Sequence, residues 1–294
     1  PTTRNDMVDI VRVMLDKLPK LRKFGINTTG MTPHRAIPMV TQAAEMCHER
    51  GIIFSTRVSI DGIGEMHNDV RQVVRGFEKA NETIRALVDL KKRVPFNFGI
   101  STTIFSKNLD DAENILSWAR KEDLDIVFNM VRFTEPMLGT ADLAATCKPV
   151  GRDEERMRQF FLERVRMDPL LDGQNYIYMH YSDMIANGYH RQAPCPFQTQ
   201  GIMLNPDGGL FFCENSDVVG NVLEEDAESL YFKAASQEHR DWIRDEKCPT
   251  CLSPCQMNVA AIKQVVPYAK FLIRASREKR KHRVLVPAAA SGRV

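Results

Sequence analysis

The sequence lacks any uncharged apolar run near the ~18 residues that a membrane-spanning helix requires, so such a helix is excluded. It also lacks net charge. Its 40 Lys and Arg against 38 Asp and Glu leave +2, which gives no electrostatic reason to expect nucleic acid or an anionic membrane as partner. No internal repeat is visible, which argues against a solenoid. No charged-then-apolar leader opens the chain, and a cytoplasmic protein is expected. What remains is ordinary globular composition, 43% apolar and 27% charged over 294 residues. That length suggests about two domains at ~150 residues each and a sizeable core.

The seven cysteines are unevenly spread, and three fall in the octapeptide CPTCLSPC, as Cys248, Cys251 and Cys255. Cys195 and Cys213 lie upstream of them, while Cys47 and Cys147 stand alone. Disulfides staple small secreted domains, and an odd count in a large chain points instead to reduced thiols that hold metal. The C-x2-C spacing brings two thiolates to one centre; zinc and iron–sulfur clusters both accept such ligands. Cys47 is expected to be a buried packing thiol on the apolar face of a helix.

Along residues 1–150 helical and strand patterns alternate. Asn5 is expected to cap a helix with Met7, Ile10, Val11, Met14 and Leu15 inward. A strand follows at Phe24 to Thr28, then a helix capped by Thr32, opened by Pro33 and stopped at Gly51. Ile52 to Ile60 and Phe96 to Ile104 read as buried strands, with a helix between them. Asn108 is expected to cap the next helix, and Ile126 to Val131 reads as a further strand. This rhythm implies parallel βαβ units, either a barrel or a doubly wound sheet, with function at the loops after the strands. From Thr134 the rhythm changes. Residues 152–168 form a charged helix, and GIMLNPDGGLFFC reads as a hairpin whose turn is NPDGG. That hairpin directs Cys213 and the segment bearing Cys195 toward a common end. The six Lys and Arg between Arg274 and Arg283 read as a solvated helix end, and the final PAAASGRV as disordered.

Two segments carry a family resemblance. One is VSIDGIGEMHNDVRQVVRGFEKANETIRAL, Val58 to Leu87; the other is Cys195-x12-Gly208-x4-Cys213, then Gly220-Asn221-Val222, then CPTCLSPC. Together with FGISTTIFSKNLDDAENILSWARK they resemble radical S-adenosylmethionine (SAM) enzymes with a C-terminal SPASM-type auxiliary iron–sulfur domain. The resemblance implies an α/β fold: a partial (β/α)6 barrel lacking its first strands, plus a small cysteine-rich α+β SPASM-like domain. The expected division is residues 1–150 for the barrel, 151–190 for a helical linker, 191–262 for the SPASM-like domain and 263–294 for a helix and basic tail. One departure is large: the C-x3-C-x2-C loop of the radical SAM cluster is not in the sequence. The opening Pro1-Thr2-Thr3-Arg4 resembles the residues after the family's Gly-Gly-Glu, so the chain is expected to begin inside that motif. The radical SAM 4Fe–4S cluster is then expected from residues upstream.

By the same resemblance, a 5′-deoxyadenosyl radical generated from SAM modifies a peptide, a protein side chain or a small metabolite, and the reductant is a flavodoxin or ferredoxin. Ser59 matches the serine that hydrogen-bonds SAM, and Arg71 the arginine that pairs with its carboxylate. Asp61 is expected to shape the loop or meet the ribose. A strand-end cap for Ser59 and a surface ion pair for Arg71 are the plain alternatives. One auxiliary 4Fe–4S cluster is expected, held by Cys195, Cys213 and two of Cys248, Cys251 and Cys255, for electron transfer or substrate docking. Glu214 is a candidate catalytic base; the alternative is an exposed acid beside the cluster. Two competing readings are a non-catalytic iron–sulfur electron-transfer or binding module and a zinc-stabilised domain.

Overall fold

The first strand-rich stretch builds one parallel sheet. In chain order come α1 (Met7–Lys17), β1 (Lys23–Thr28), α2 (Pro33–Glu49), β2 (Ile53–Ser59), α3 (Glu65–Arg71), α4 (Gly76–Lys91), β3 (Asn97–Ile104), α5 (Ala112–Lys121) and β4 (Asp125–Met130). The computed structural model describes residues 1–134, 139–253 and 265–285. The chain divides into two units, Pro1–Asn129 and Met130–Val294.

In the first unit the strands lie in the order β1-β2-β3-β4, with β1–β2 and β2–β3 paired in parallel. Consecutive strands are neighbours throughout this sheet, as successive parallel βαβ units require. One face is apolar: Ile26, Phe54, Val58 and Ile100 pack on Val40, Ala44 and Cys47 of α2 and on Ile84 and Leu87 of α4. Cys47 is fully buried there, as its place on the helix implies. The opposite face is polar. Gly25 and Asn27 are exposed, and Ser55, Arg57 and Ser59 are half-buried. A parallel sheet covered by helices on both faces reads as continuous apolar strands; alternation marks a sheet covered on one face. Gly99 makes this polar face workable. Arg57 crosses β3 at Gly99, donating to Ile100 O at 3.1 Å and pairing with Asp125 at 2.6 Å. A Cβ on Gly99 would meet Arg57 Nη1 at 2.8 Å and the Asp125 carbonyl as well.

The expected caps are corrected. Asp6, not Asn5, precedes α1, and Asn5 instead accepts from Arg35 of α2. Thr32 stands at the N-cap of α2 without a side-chain cap bond, although Pro33 opens the helix as expected. Asn108 does not cap the following helix. Its side chain donates to Asp61 O at 3.0 Å and Thr103 O at 2.8 Å and accepts from Phe105 N at 2.9 Å. For both asparagines, other partners outcompete the helix N–H groups.

The second unit contains α6 (Ala144–Cys147), α7 (Arg152–Met167), α8 (Gly173–Ala186), β5 (Met203–Leu204), β6 (Gly209–Phe211), β7 (Gly220–Asn221), α9 (Ala227–Phe232), α10 (Ala234–Trp242) and α11 (Val265–Leu285). α7 offers Phe160, Phe161 and Val165 to the mostly buried α8. Phe161 meets Tyr181 at 4.9 Å and Tyr178 at 5.8 Å between ring centroids. Phe271 of α11 packs edge-on to Tyr176 at 5.3 Å. The basic stretch of α11 is not merely solvated. Arg274 pairs with Asp183 at 2.6 Å, and Lys279 donates to the carbonyls of Arg166 and Asp168. These charges fasten α11 to α7 and α8.

The hairpin forms as read. β5 and β6 pair antiparallel, Asn205 Oδ1 accepts from Asp207 N and Gly209 N at 3.1 and 2.7 Å, and Gly208 takes φ +86°. The Gly220-Asn221 element adds a third strand, β7, on β6. Asn221 Nδ2 donates to Asp207 O at 2.9 Å and so locks the turn. Cys255 and the tail 286–294 lie outside the described residues.

Each unit buries a neutral histidine. His67 in α3 is 0% exposed and His180 in α8 is 6% exposed. Burial, followed by Arg71 for His67 and by Arg191 for His180, pushes both down to about 4. The unfolded chain then binds more protons than the fold between about pH 6.5 and 4. This stability is present above the unfolded value and is lost as pH falls through that window, by up to ~3 kcal/mol per histidine. Urea midpoints should fall steeply from pH 7 to 4.5, and His67→Gln should flatten the profile of the first unit. An unchanged profile in His67→Gln would remove the assignment.

Candidate functional site

The two sets of candidate residues sit in different units and are described separately. In the first unit they gather at the C-terminal end of β2. Ser59 is the last residue of that strand, in register with Ser101 of β3. The chain then turns through Asp61, whose carboxylate is almost wholly buried. Asp61 Oδ1 accepts from Thr103 N at 2.8 Å, and Oδ2 pairs with Arg71 Nη2 at 2.5 Å. The Asp61 N–H donates to His67 Nδ1 at 3.1 Å. His67 therefore carries its proton on Nε2, and that atom is buried without a partner. Ile63 N donates to Asp111 at 2.6 Å, which ties the loop to the start of α5.

The Asp-Gly loop is thus an anchored turn. Arg71 ends α3 and is pinned by Asp61, with Nε buried and unpartnered. Burial pushes the Asp61 carboxyl up, while Arg71 and the Thr103 N–H pull against that rise. The ion pair of Arg71 is made with a buried partner, so it is not a surface pair. A second carboxylate at Arg71 would share the guanidinium with Asp61. His67 carries no signal by itself in the sequence, because a lone histidine in a helical pattern reads equally as a core residue.

In the second unit, Cys195, Cys213, Cys248 and Cys251 line one pocket with Phe197, Phe212 and Ile243. Cys195 opens the 3-10 turn Pro196–Gln198, and its backbone N–H donates to Gln198 Oε1 at 3.3 Å. Cys213 follows β6 directly after Phe212. Cys248 and Cys251 flank the turn Cys248–Thr250, closed by Cys251 N donating to Cys248 O at 3.3 Å. Cys251 Sγ accepts from Asn215 Nδ2 at 3.3 Å and from Ser253 N at 3.4 Å. Such donors aim at sulfur as they would at a thiolate. Burial pushes Cys213 up to about 12, with the neighbouring cysteines adding to the rise; burial also raises Cys251, against Arg191. Metal-free, these groups are thiols, and metal binding would release their protons.

Among the described residues no three His, Cys, Asp or Glu side chains are placed to share a single metal ion. One zinc draws every sulfur to about 2.3 Å from itself. A four-iron cluster gives each thiolate its own iron and so spreads the sulfurs around a larger body. Four thiols on one pocket, with sulfur-directed donors, fit the cluster chemistry.

Glu214 is buried, its side chain 7% exposed, so the exposed-acid alternative does not hold. Oε2 is paired with Arg132, which also donates to Ser253 Oγ at 3.0 Å. Oε1 is buried without a hydrogen-bond partner. Glu214 lines both the cysteine pocket and a second cavity that includes Arg132, Thr134, Lys247 and Thr250. Sequence reasoning misses Arg132, Arg191, Arg240 and Asn215, since nothing in local spacing separates a buried arginine from a surface one.

No family model matches the chain, and no curated protein matches it. Solved structures similar to it include a polyhistidine-tagged form of the anaerobic sulfatase-maturating enzyme anSMEcpe with bound AdoMet. That chain is 15% identical with a TM-score of 0.48, over 90% of this chain and 72% of that one. Native anSMEcpe with bound AdoMet and Cp18Cys peptide is similar at 14% identity and TM-score 0.45, over 88% and 73% of the two chains. The same protein with Kp18Cys peptide gives 14% and 0.46, over 89% and 76%.

Proposed function

We propose that this chain belongs to a radical SAM enzyme that modifies a peptide, a protein side chain or a small metabolite, and that its second unit holds an auxiliary 4Fe–4S cluster. The observation that carries this reading is the convergence of Cys195, Cys213, Cys248 and Cys251, from three separate segments, on one pocket. The polar sheet face and the anchored Asp61 loop support it, because ligands of such sheets gather where the strands end. The C-x3-C-x2-C ligands for the SAM-cleaving cluster are not among these 294 residues, so the reading requires thiolates from outside them.

Cys195, Cys213 and two of Cys248, Cys251 and Cys255 would hold the auxiliary cluster. When bound, it supplies one-electron transfer or a docking point for substrate. Ser59 would donate to SAM at the strand end, and Arg71 would clamp its carboxylate while Asp61 keeps the guanidinium in place. Glu214 Oε1 would accept the proton that the substrate releases on oxidation. Arg132 fixes the other oxygen, so one lone-pair face is left to act.

Iron, sulfide and zinc per chain, on anaerobically reconstituted protein, test the centre of this reading. About four irons with matching sulfide support it; about one zinc without sulfide overturns it in favour of a structural thiolate site. In the complete enzyme, Glu214→Gln should slow product formation by about 10²-fold while SAM cleavage continues. Unchanged turnover would remove the base role.

A further inference from the structure

The cysteine pocket contains a charge imbalance. Two of the charges around it are matched: Arg244 by Asp241 and Asp245, and Glu214 by Arg132. Arg191 and Arg240 also line the pocket, and neither ion-pairs with a carboxylate among the described residues. Arg240 is 6% exposed. Its guanidinium lies 3.9 Å from the Phe212 ring and 4.5 Å from the Tyr231 ring. It donates to Thr199 O and Gly201 O, both at 3.0 Å. Arg191 staples the two cysteine-bearing segments together, donating to Ala193 O and Ser253 O, both at 2.7 Å. Carbonyls satisfy hydrogen bonds but do not neutralise charge. Each guanidinium also keeps one buried N–H without a partner, Nη2 of Arg191 and Nε of Arg240. A cation held away from water without a counter-charge is unfavourable; Arg240 is buried and Arg191 half-buried, and the two around one pocket call for an anionic occupant.

We infer that Arg191 and Arg240 are the counter-charges of the thiolate-bound cluster, directing their spare N–H groups at its sulfur and raising its electron affinity. This inference rests on the cluster reading above. Four thiolates around an oxidised four-iron core carry a net charge of about two negative, which the two guanidinium groups offset. Reduction adds a further negative charge. Nearby cations stabilise the reduced form more than the oxidised form and therefore raise the potential. The two arginines are positioning residues: they act through the cluster and do not touch substrate.

The test is a dye-mediated redox titration, followed by electron paramagnetic resonance, on anaerobically reconstituted full chain. Arg191→Gln and Arg240→Gln should each lower electron affinity about tenfold, a shift of about 59 mV to more negative potential for a one-electron couple. Arg191→Lys and Arg240→Lys keep the charge and should stay near wild type. Arg244→Gln, at a neutralised position, should not shift the potential. Iron-loaded glutamine variants with unmoved or raised potentials would overturn the inference and leave the cluster reading intact. Wild-type protein without iron and sulfide would overturn both. Should the glutamine variants fail to load iron, lysine variants that load with the wild-type potential support the charge role. Lysine variants that also fail to load would show that shape and not charge is required, against the inference.

Discussion

Cys213→Ala is expected to reduce the iron content of the reconstituted chain from about four per chain to below one, with sulfide falling in parallel. Cys213 is delivered to the pocket by a short, well-braced segment. It follows β6, which is locked by the Asn205 turn on one side and by β7 on the other. Its thiol is displaced to about 12 by burial, so it offers no free thiolate at neutral pH; metal must drive its deprotonation. Loading should therefore weaken as the pH of reconstitution falls. Cys47→Ala is the control, because that thiol is fully buried on α2 in the first unit, within the apolar core. It should retain all its iron. Full iron and sulfide in Cys213→Ala would refute the proposed ligand set, and loss of iron in Cys47→Ala would mean that loading follows general stability instead.

The second large effect lies in the first unit. Asp61→Ala should destabilise it by about 3 to 5 kcal/mol, the range for removing one partner of a buried ion pair. Three groups lose their partner at once. Arg71, whose side chain is 27% exposed, keeps its charge without Asp61, and this residual exposure places the effect toward the lower end. The Thr103 N–H loses its acceptor at 2.8 Å. The β2–α3 turn loses the side chain that ties it to β3. Trp118 of α5, which packs at 5.5 Å from Phe77, reports on this unit by fluorescence in a Trp242→Phe background. Urea unfolding of Asp61→Ala, Arg71→Ala and the double variant should be strongly non-additive, because the double variant leaves no isolated buried charge. Additive effects would show that the pair does not hold the loop.

Both predictions depend on how far apart in sequence the decisive partners lie. The strands, their helices and the NPDGG hairpin are legible because each is written in a window of a few residues. Alternation marks a strand, a 3.6-residue period marks a helix, and Asp-Gly marks a turn. CPTCLSPC is legible for the same reason, since its chemistry is carried by spacing. The helix caps fail for the converse reason. Asn5 and Asn108 carry the local signal, but Arg35, Asp61 and Thr103 engage them instead.

Local pattern therefore dictates the parallel βαβ order of the first unit, the hairpin and the positions of the thiols. Which charges are buried, and what faces them, emerges only on packing. Arg132 meets Glu214 across 82 positions and Arg191 meets Ser253 across 62. Asp61 turns inward to Arg71, and Arg240 is sandwiched against Phe212 and Tyr231. A guanidinium on a helix looks the same in sequence whether water or a thiol pocket surrounds it. Only the packed fold removes the water, and with it the screening that makes such a charge inconsequential at a surface.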